Sequence, residues 1–339
     1  MTEQRKAEMK PIPSSRVAKL PSDAVTWIAV GEDADGQRVD NFLLKVARGV
    51  PKSHIYRIIR GGEVRINRSR CKAETKLREG DLLRVPPMRV AEKSAHAAAA
   101  APLAEGAVPI LYEDRHLLVV NKPAGLASHG GSGISYGLIE RLRASRPEDT
   151  FLELAHRLDK ETSGALIVCR TRKALVRLHD LMKEGGVEKH YRALVKGDWV
   201  NDRQHVRLPL TRYLLPSGER RVRVDPEQGM SAHSIFTLIR RYGPVSYLDV
   251  QLKTGRTHQI RVHALSQGFP LVGDDKYGDF AFNKAVAAGA LGVPFKRMFL
   301  HAHDLTFEHP VTGETLRIEA PLPPECEALL KALDAGSAQ

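Results

Sequence analysis

Ala155-His156-Arg157-Leu158-Asp159-Lys160-Glu161-Thr162-Ser163-Gly164 is the stretch around which the chain is organised. An alternating approach, Phe151-Leu152-Glu153-Leu154-Ala155, runs into it, and an apolar run, Ala165-Leu166-Ile167-Val168, leaves it. The pattern predicts strand, tight polar turn, strand, which presents Asp159 on a rigid support. Arg157 and Lys160 flank the carboxylate, with Thr162, Ser163 and the Gly164 backbone close by. Cations and hydrogen-bond donors favour an ionised acid, and an ionised, desolvated Asp is a competent nucleophile. A surface turn with its charges solvated on both sides is the competing reading of the same composition.

Outward from that stretch, 339 residues suit two domains, and 42% apolar residues supply ordinary cores. A net charge of +12 points towards a polyanion such as nucleic acid, with plain solubility as the alternative. No apolar run reaches the roughly eighteen residues that a membrane span requires, so no membrane partner is expected. The first residues carry Arg5, Lys6 and Lys10 without an apolar segment and do not read as a secretory signal. Cys71, Cys169 and Cys326 are too scattered for a disulfide framework or a zinc spacing. A cytoplasmic, monomeric protein is expected.

Residues 1–23 are polar with three prolines and predict a disordered tail. A compact unit follows over 24–90. Val39 to Ala47 has apolar residues at helical spacing, and Ser53 is placed to cap a second helix through Ile55, Ile58 and Ile59. Strands are expected at Glu63–Asn67 and Asp81–Val85. Between Arg38 and Arg89, 14 Lys/Arg face 5 Asp/Glu. Lys52, Arg57, Arg60, Arg65 and Arg68 in this unit are candidate phosphate contacts, giving salt-dependent binding with little sequence reading. A solvated basic face is the alternative. Residues 91–108, with Ala97 to Ala101 in the middle, predict a linker.

A larger domain spans 109–330, with a short tail over 331–339. Leu117-Leu118-Val119-Val120 reads as a buried strand that turns out through Asn121-Lys122-Pro123-Ala124-Gly125. Gly133-Ile134-Ser135-Tyr136-Gly137 fits the nucleophile elbow of serine hydrolases. Glycines precede it where the elbow needs an apolar strand, so Ser135 is read as a helix N-cap instead. Glu188 to Val195 is a strand with Tyr191, Ala193 and Val195 on one face. Val245 to Leu252 is another, leading into Thr254-Gly255-Arg256-Thr257-His258-Gln259-Ile260-Arg261-Val262-His263. Continued as a strand, Thr257, Gln259 and Arg261 share a face, and His258 and His263 point opposite ways, a poor pair of metal ligands. His301 and His303 lack a supporting Cys or acidic cluster, and no metal is expected.

His156-Arg157-Leu158-Asp159-Lys160, followed by Thr162-Ser163-Gly164, resembles the catalytic motif of the RNA pseudouridine synthases, in the branch acting on large-subunit ribosomal RNA. His156 separates that branch from the small-subunit one, where Gly usually stands. The resemblance implies that Asp159 is the essential catalytic residue, that Arg157 fills the space left by a flipped base, and that His156 is among the RNA contacts. Lys189-His190-Tyr191 resembles the family's second motif, which implies that Tyr191 lies beside the target base. Gly255-Arg256-Thr257-His258-Gln259-Ile260-Arg261 resembles the third, which implies that Arg261 pairs with Asp159. Gly268 to Gly278 and Phe299-Leu300-His301-Ala302 match the family as well. Val50 to Arg57 and Gly61 to Asn67 are similar to the small RNA-binding domain named after the fourth small-subunit ribosomal protein.

The resemblance implies an α+β fold: a pseudouridine synthase domain with a mainly antiparallel mixed sheet and flanking helices, preceded by a small α/β RNA-binding domain. It implies isomerisation of specific uridines in large-subunit (23S) rRNA, and the domain order is most similar to enzymes modifying uridines near the peptidyl-transferase region. No phosphate-cradling loop or dinucleotide fingerprint appears, so no cofactor is expected. Two alternatives remain: a synthase for another rRNA or tRNA uridine, and a non-catalytic rRNA-binding or assembly protein, which has no need of Asp159, Tyr191 and Arg261 together.

Overall fold

The computed structural model describes residues 11–17, 20, 23–47, 50–88, 101–104, 106–130 and 136–336. Two compact units emerge: residues 1–101 with 146–152 and 170–172, and residues 102–145, 153–169 and 173–339. No sequence feature signalled that the two short segments belong with the first unit.

In the first unit, strand β1 (Ile12–Pro13), β2 (Thr26–Ala29), helix α1 (Val39–Val46), α2 (Lys52–Arg60), β3 (Arg65–Ile66), β4 (Ser69–Arg70) and β5 (Leu82–Val85) follow in order. Val39, Phe42, Leu43 and Val46 recur at i, i+3, i+4 and i+7, and all four are buried against Ile55, Ile58 and Ile59 of α2 and Leu83 of the sheet. The sheet order is β1-β2-β5-β3-β4. Within the segment expected as a disordered tail, residues 12–14 are held in place. Ile12 and Pro13 pair in parallel with Ile28 and Ala29, and the Gly31 amide donates to Ser14 Oγ at 2.8 Å. The exposed edge of β2 satisfies its backbone groups with this segment, which local polarity does not reveal. Ser53 is not the cap of α2: Pro51 occupies the N-cap position, with no side-chain cap bond. Residues 1–10 and most of the expected linker, 89–100, lie outside the described residues.

The second unit is built on one ten-stranded sheet. Its elements begin with β6 (Ile110–Glu113), β7 (Leu117–Lys122), α3 (Leu138–Ser145), β8 (Glu153–Leu154), β9 (Ser163–Cys169), α4 (Arg172–Glu184) and β10 (Val187–Lys196). They continue through β11 (Arg203–Val206), β12 (Leu210–Leu214), β13 (Arg220–Val224), β14 (Ser234–Arg241), β15 (Val245–Leu252), α5 (Gln259–Ser266), α6 (Phe280–Ala287), β16 (Leu300–Glu308), β17 (Thr315–Glu319) and α7 (Pro324–Gly336). The sheet order is β11-β14-β15-β10-β16-β9-β7-β6, with β17 on β16 and β8 on β9; β12 and β13 form a separate hairpin. All pairings in the sheet are antiparallel except β16–β9. The expected mainly antiparallel mixed sheet with flanking helices is therefore present. Central strand β9 is buried along its whole length, which explains why its sequence is a continuous apolar run rather than an alternation.

The parallel seam is short, Ser163 opposite His301 and Gly164 opposite Ala302. It is held by side chains: Arg297 Nη2 donates to Ser163 Oγ at 2.6 Å, and that hydroxyl meets His301 Nδ1 at 2.9 Å. His301 Nε2 then donates to the Ala320 carbonyl, so the ring is a neutral brace, its pKa pushed down to about 4 by burial. Gly164 has φ +113, and a Cβ there would lie 2.2 Å from the Ala302 oxygen. Only glycine fits both constraints. Gly164→Ala is expected to cost about 3 kcal/mol and lower the melting temperature by about 5–10 °C, read by calorimetry, because backbone rather than a flexible side chain must move.

Candidate active site

The loop between β8 and β9 carries Asp159 and is tied down along its length. His179 Nε2 meets the Ala155 carbonyl at 3.1 Å. Buried Ser128 holds Leu158 from both sides, accepting from its amide at 3.1 Å and donating to its carbonyl at 2.7 Å. The Gly125 amide donates to Lys160 O at 2.9 Å, and the Thr162 amide to Asp159 O at 3.2 Å. Beneath the loop, the fully buried Lys122 ammonium donates to the carbonyls of Pro123, Leu126 and Lys160 at 2.9, 2.7 and 3.1 Å. Three acceptors match the three hydrogens of the charged form. Burial pushes its pKa down to about 7, while Asp159 and Glu161 pull the other way.

Asp159 is half-buried, in the wall of a cavity of about 670 Å³ that also takes in Tyr191, His258 and Arg261. Its cationic neighbours are not the two flanking residues in sequence. Arg261 Nη1 lies 3.8 Å and His258 Nε2 4.0 Å from Asp159 Oδ2. Arg157 instead reaches His129, Nη1 to Nε2 at 2.9 Å, and Lys160 lies 3.7 Å from Glu161.

Arg261 is 2% exposed, and its hydrogen bonds go elsewhere than the resemblance implied. Nε and Nη2 form a fork with Asp274 at 2.7 and 2.5 Å, and Nη2 also reaches Asp275 at 3.0 Å. The expected Asp159–Arg261 ion pair is present, and a buried Asp274–Arg261 fork supports it. Burial works against the guanidinium, but the bonds and charge of Asp274, with Asp159 and Asp275 adding to them, raise its pKa overall. Asp274 is conversely held below the usual carboxylate range, despite its burial, by Arg261 and the amides of Tyr277 and Lys276. Asp274 lies within the matched segment Gly268 to Gly278, where a lone acid in a turn offers no sequence signal of its partner.

The strand expected through Thr257 and Arg261 is instead a turn at Thr257 and His258 followed by helix α5. Gln259 Oε1 accepts from Thr254 Oγ1 and the Arg256 amide, folding the loop back, and His258 takes a left-handed conformation at φ 53. All residues from Gln259 to Ala264 are buried. A helix buried all round has no polar stripe to reveal its 3.6-residue period, so Ile260 and Val262 imitate a strand.

His258 and Tyr277 also belong to the site. The Val222 amide donates to Tyr277 Oη, which in turn lies 2.8 Å from His258 Nδ1. Nε2 of the same ring is the atom nearest Asp159. Burial lowers the pKa of this histidine, against the pull of Asp159, and keeps it neutral. Tyr191, on β10 between Val250 and Ala302, is buried. Burial, reinforced by Asp159, raises its phenol well above the ordinary range, so it is a hydrogen-bond donor and not a base in the resting site.

His156, expected among the RNA contacts, lines the same cavity as Asp159. Its Nε2 accepts from the Ile167 amide at 3.2 Å, and burial, with Lys189 nearby, pushes its pKa down to about 3. In the first unit, Lys52, Arg57 and Arg60 are exposed on α2, and Arg65 and Arg68 are exposed on and beside β3. Ser135 of the elbow-like pattern lies outside the described residues. Among the described residues no group of three or more His, Cys, Asp or Glu side chains is arranged for a metal, and no helix is long and apolar enough to cross a membrane.

Residues 116–266 match the family model described as RNA pseudouridylate synthase, and residues 37–83 match the S4 domain. The chain is 50% identical over 318 residues to ribosomal large subunit pseudouridine synthase C of Pasteurella multocida, covering 93% of this chain and 96% of that protein. It is 49% identical over 309 residues to the protein of the same name from Escherichia coli K12, covering 90% and 95%. Among solved structures, human RNA pseudouridylate synthase domain containing 1 aligns with a TM-score of 0.51 at 27% identity, covering 69% of this chain and 97% of that one. Human RNA pseudouridylate synthase domain containing 4 shares the fold, with a TM-score of 0.54 at 24% identity over 67% and 93%.

Two stability measurements check the electrostatics. Asp274→Asn leaves Arg261 buried without its anion, and urea unfolding is expected to show a loss of about 3–5 kcal/mol. His156 has a folded pKa of about 3 against an ordinary 6.5. The unfolded chain therefore binds the extra proton in that interval, and stability falls as pH drops from 6.5 towards 3. His156→Gln is expected to flatten the slope there and to leave stability above pH 7 insensitive to pH on this account.

Proposed function

The chain belongs to the RNA pseudouridine synthase family, and on that premise we propose that it converts specific uridines of large-subunit ribosomal RNA to pseudouridine in the cytoplasm, with Asp159 as the essential residue. The observation that carries the reading is the setting of Asp159: a carboxylate on a multiply tethered loop, 3.8 Å from a buried guanidinium, in one cavity with a neutral tyrosine. The substrate follows from the relatives of about half identity over nearly the whole chain.

A uridine inside folded RNA leaves its stack before its glycosidic bond can be reached. Arg157 is exposed beside the loop, its guanidinium bonded to the exposed His129, and can enter the vacated space. Asp159 attacks the flipped nucleotide or assists departure of its base. The N1–C1′ bond breaks, the base turns, and a C5–C1′ bond forms; the proton on C5 leaves and N1 gains one. Atoms and electrons balance within the nucleotide, so the isomerisation consumes no co-reactant. Tyr191 lies against the base and donates a hydrogen bond, while Arg261 and His258 hold the Asp159 carboxylate in its attacking orientation. Lys52, Arg57 and Arg60, with Arg65 and Arg68, contact phosphates and add salt-dependent affinity.

Pseudouridines in large-subunit rRNA are to be mapped in cells lacking this gene and complemented with wild type or Asp159→Asn. Loss of defined sites restored only by wild type is expected, and the purified variant should turn over more than about a thousandfold more slowly while still binding RNA. Unchanged rRNA with altered tRNA would keep the chemistry and move the substrate. Full restoration by Asp159→Asn would remove the catalytic role given to that residue.

A further inference from the structure

The outer face of the small sheet carries an arrangement that neither its core nor the cavity around Asp159 uses. Trp27 lies opposite Arg84, Arg84 opposite Arg65, and Arg65 opposite Arg70. Directly opposed residues point to the same side of a sheet, so one aromatic ring and three guanidiniums form a row across β2, β5, β3 and β4. The other side of the same strands is core, with Ile28, Leu83 and Val85 fully buried. Trp27, Gly62, Glu63, Arg65, Arg68 and Arg84 line a groove of about 600 Å³ on this outer face.

Three features of the row run against stability of the free domain. Like charges placed opposite each other in a sheet repel. Among the described residues, Arg65 and Arg84 donate only to backbone carbonyls: Arg65 to Gly62 O and Arg68 O, Arg84 to Glu63 O. Glu63 is the one acid in the groove. Arg68 has φ 69, a left-handed turn position where glycine is the unstrained choice. Strain of this kind persists where a side chain must be presented, and here it presents a fourth guanidinium at the groove.

We infer that this face binds an unpaired nucleotide of RNA, its base stacked on Trp27 and its flanking phosphates held by Arg84, Arg65, Arg70 and Arg68. A half-exposed indole offers a flat apolar surface that any base can cover, and the guanidiniums supply the charge complementarity that a phosphate chain requires. Duplex RNA stacks its bases internally and presents no free face to the indole. The site is separate from the basic side chains of α2, and it rests on the reading of this protein as one that acts on RNA.

The full-length chain is titrated with a short single-stranded RNA and with a blunt duplex of the same sequence, following tryptophan emission and anisotropy. Trp199, the second tryptophan, is fully buried, so quenching by the single strand is expected in the wild type and absent in Trp27→Phe. Trp27→Ala is expected to weaken single-strand affinity about tenfold, and Trp27→Phe, which keeps a ring, markedly less. Arg84→Gln should reduce the slope of log affinity against log salt by about 0.7, one phosphate contact. Asp159→Asn should quench like the wild type. Wild-type affinity in Trp27→Ala, or quenching that survives in Trp27→Phe, would overturn the site without touching the synthase reading. Normal quenching with no pseudouridine formed by the wild type would overturn the synthase reading and leave the site standing.

Discussion

A guanidinium that is 2% exposed needs an anion at hand, and Asp274 is what allows Arg261 to face Asp159 from inside the protein. The fork between them fixes the plane of the guanidinium and leaves Nη1 directed at the Asp159 carboxylate. The same Asp274 accepts from the amides of Lys276 and Tyr277, which orders the turn after residue 273. Tyr277 in that turn is hydrogen-bonded to His258 Nδ1. One buried carboxylate thus organises both cationic and polar neighbours of Asp159, although it does not itself reach Asp159.

The opposite wall is built from backbone. Lys122, Ser128 and the Gly125 amide hold the carbonyls and amides of the Asp159 loop, so the loop is positioned through atoms every residue possesses. Side chains of the loop are left free for other work. Arg157 illustrates this: its neighbours Leu158 and His156 are pinned, while its own guanidinium is exposed. A carboxylate between a rigid backbone wall and a rigid buried cation needs little reorganisation when a nucleotide enters, which is where such preorganisation lowers a barrier.

Much of this was legible from sequence. The strand, polar loop and strand around Asp159 follow from a change between apolar and polar runs, and Tyr191 falls on a strand whose alternation is plain. The helices of the small unit announce themselves by spacing, since Val39, Phe42, Leu43 and Val46 bury one stripe and leave the other side polar. Local periodicity reports which face is buried, and those elements each have one buried face.

What sequence determined by itself was therefore the strand, polar loop and strand around Asp159, the presence of a basic small unit and the kinds of element that half-bury themselves. Tertiary structure decided the rest. Helix α5 escaped because burial on all sides erases its period. Asp274 as the partner of Arg261 escaped because it arrives from thirteen residues beyond it, and the charges adjacent to Asp159 along the chain, Arg157 and Lys160, turn away from it. The pairing of Ile12 with Ile28 escaped because a sheet edge recruits backbone groups whatever side chains they bear. Periodicity is a property of one segment against its surroundings; charge pairing and edge pairing belong to segments brought together only by the fold.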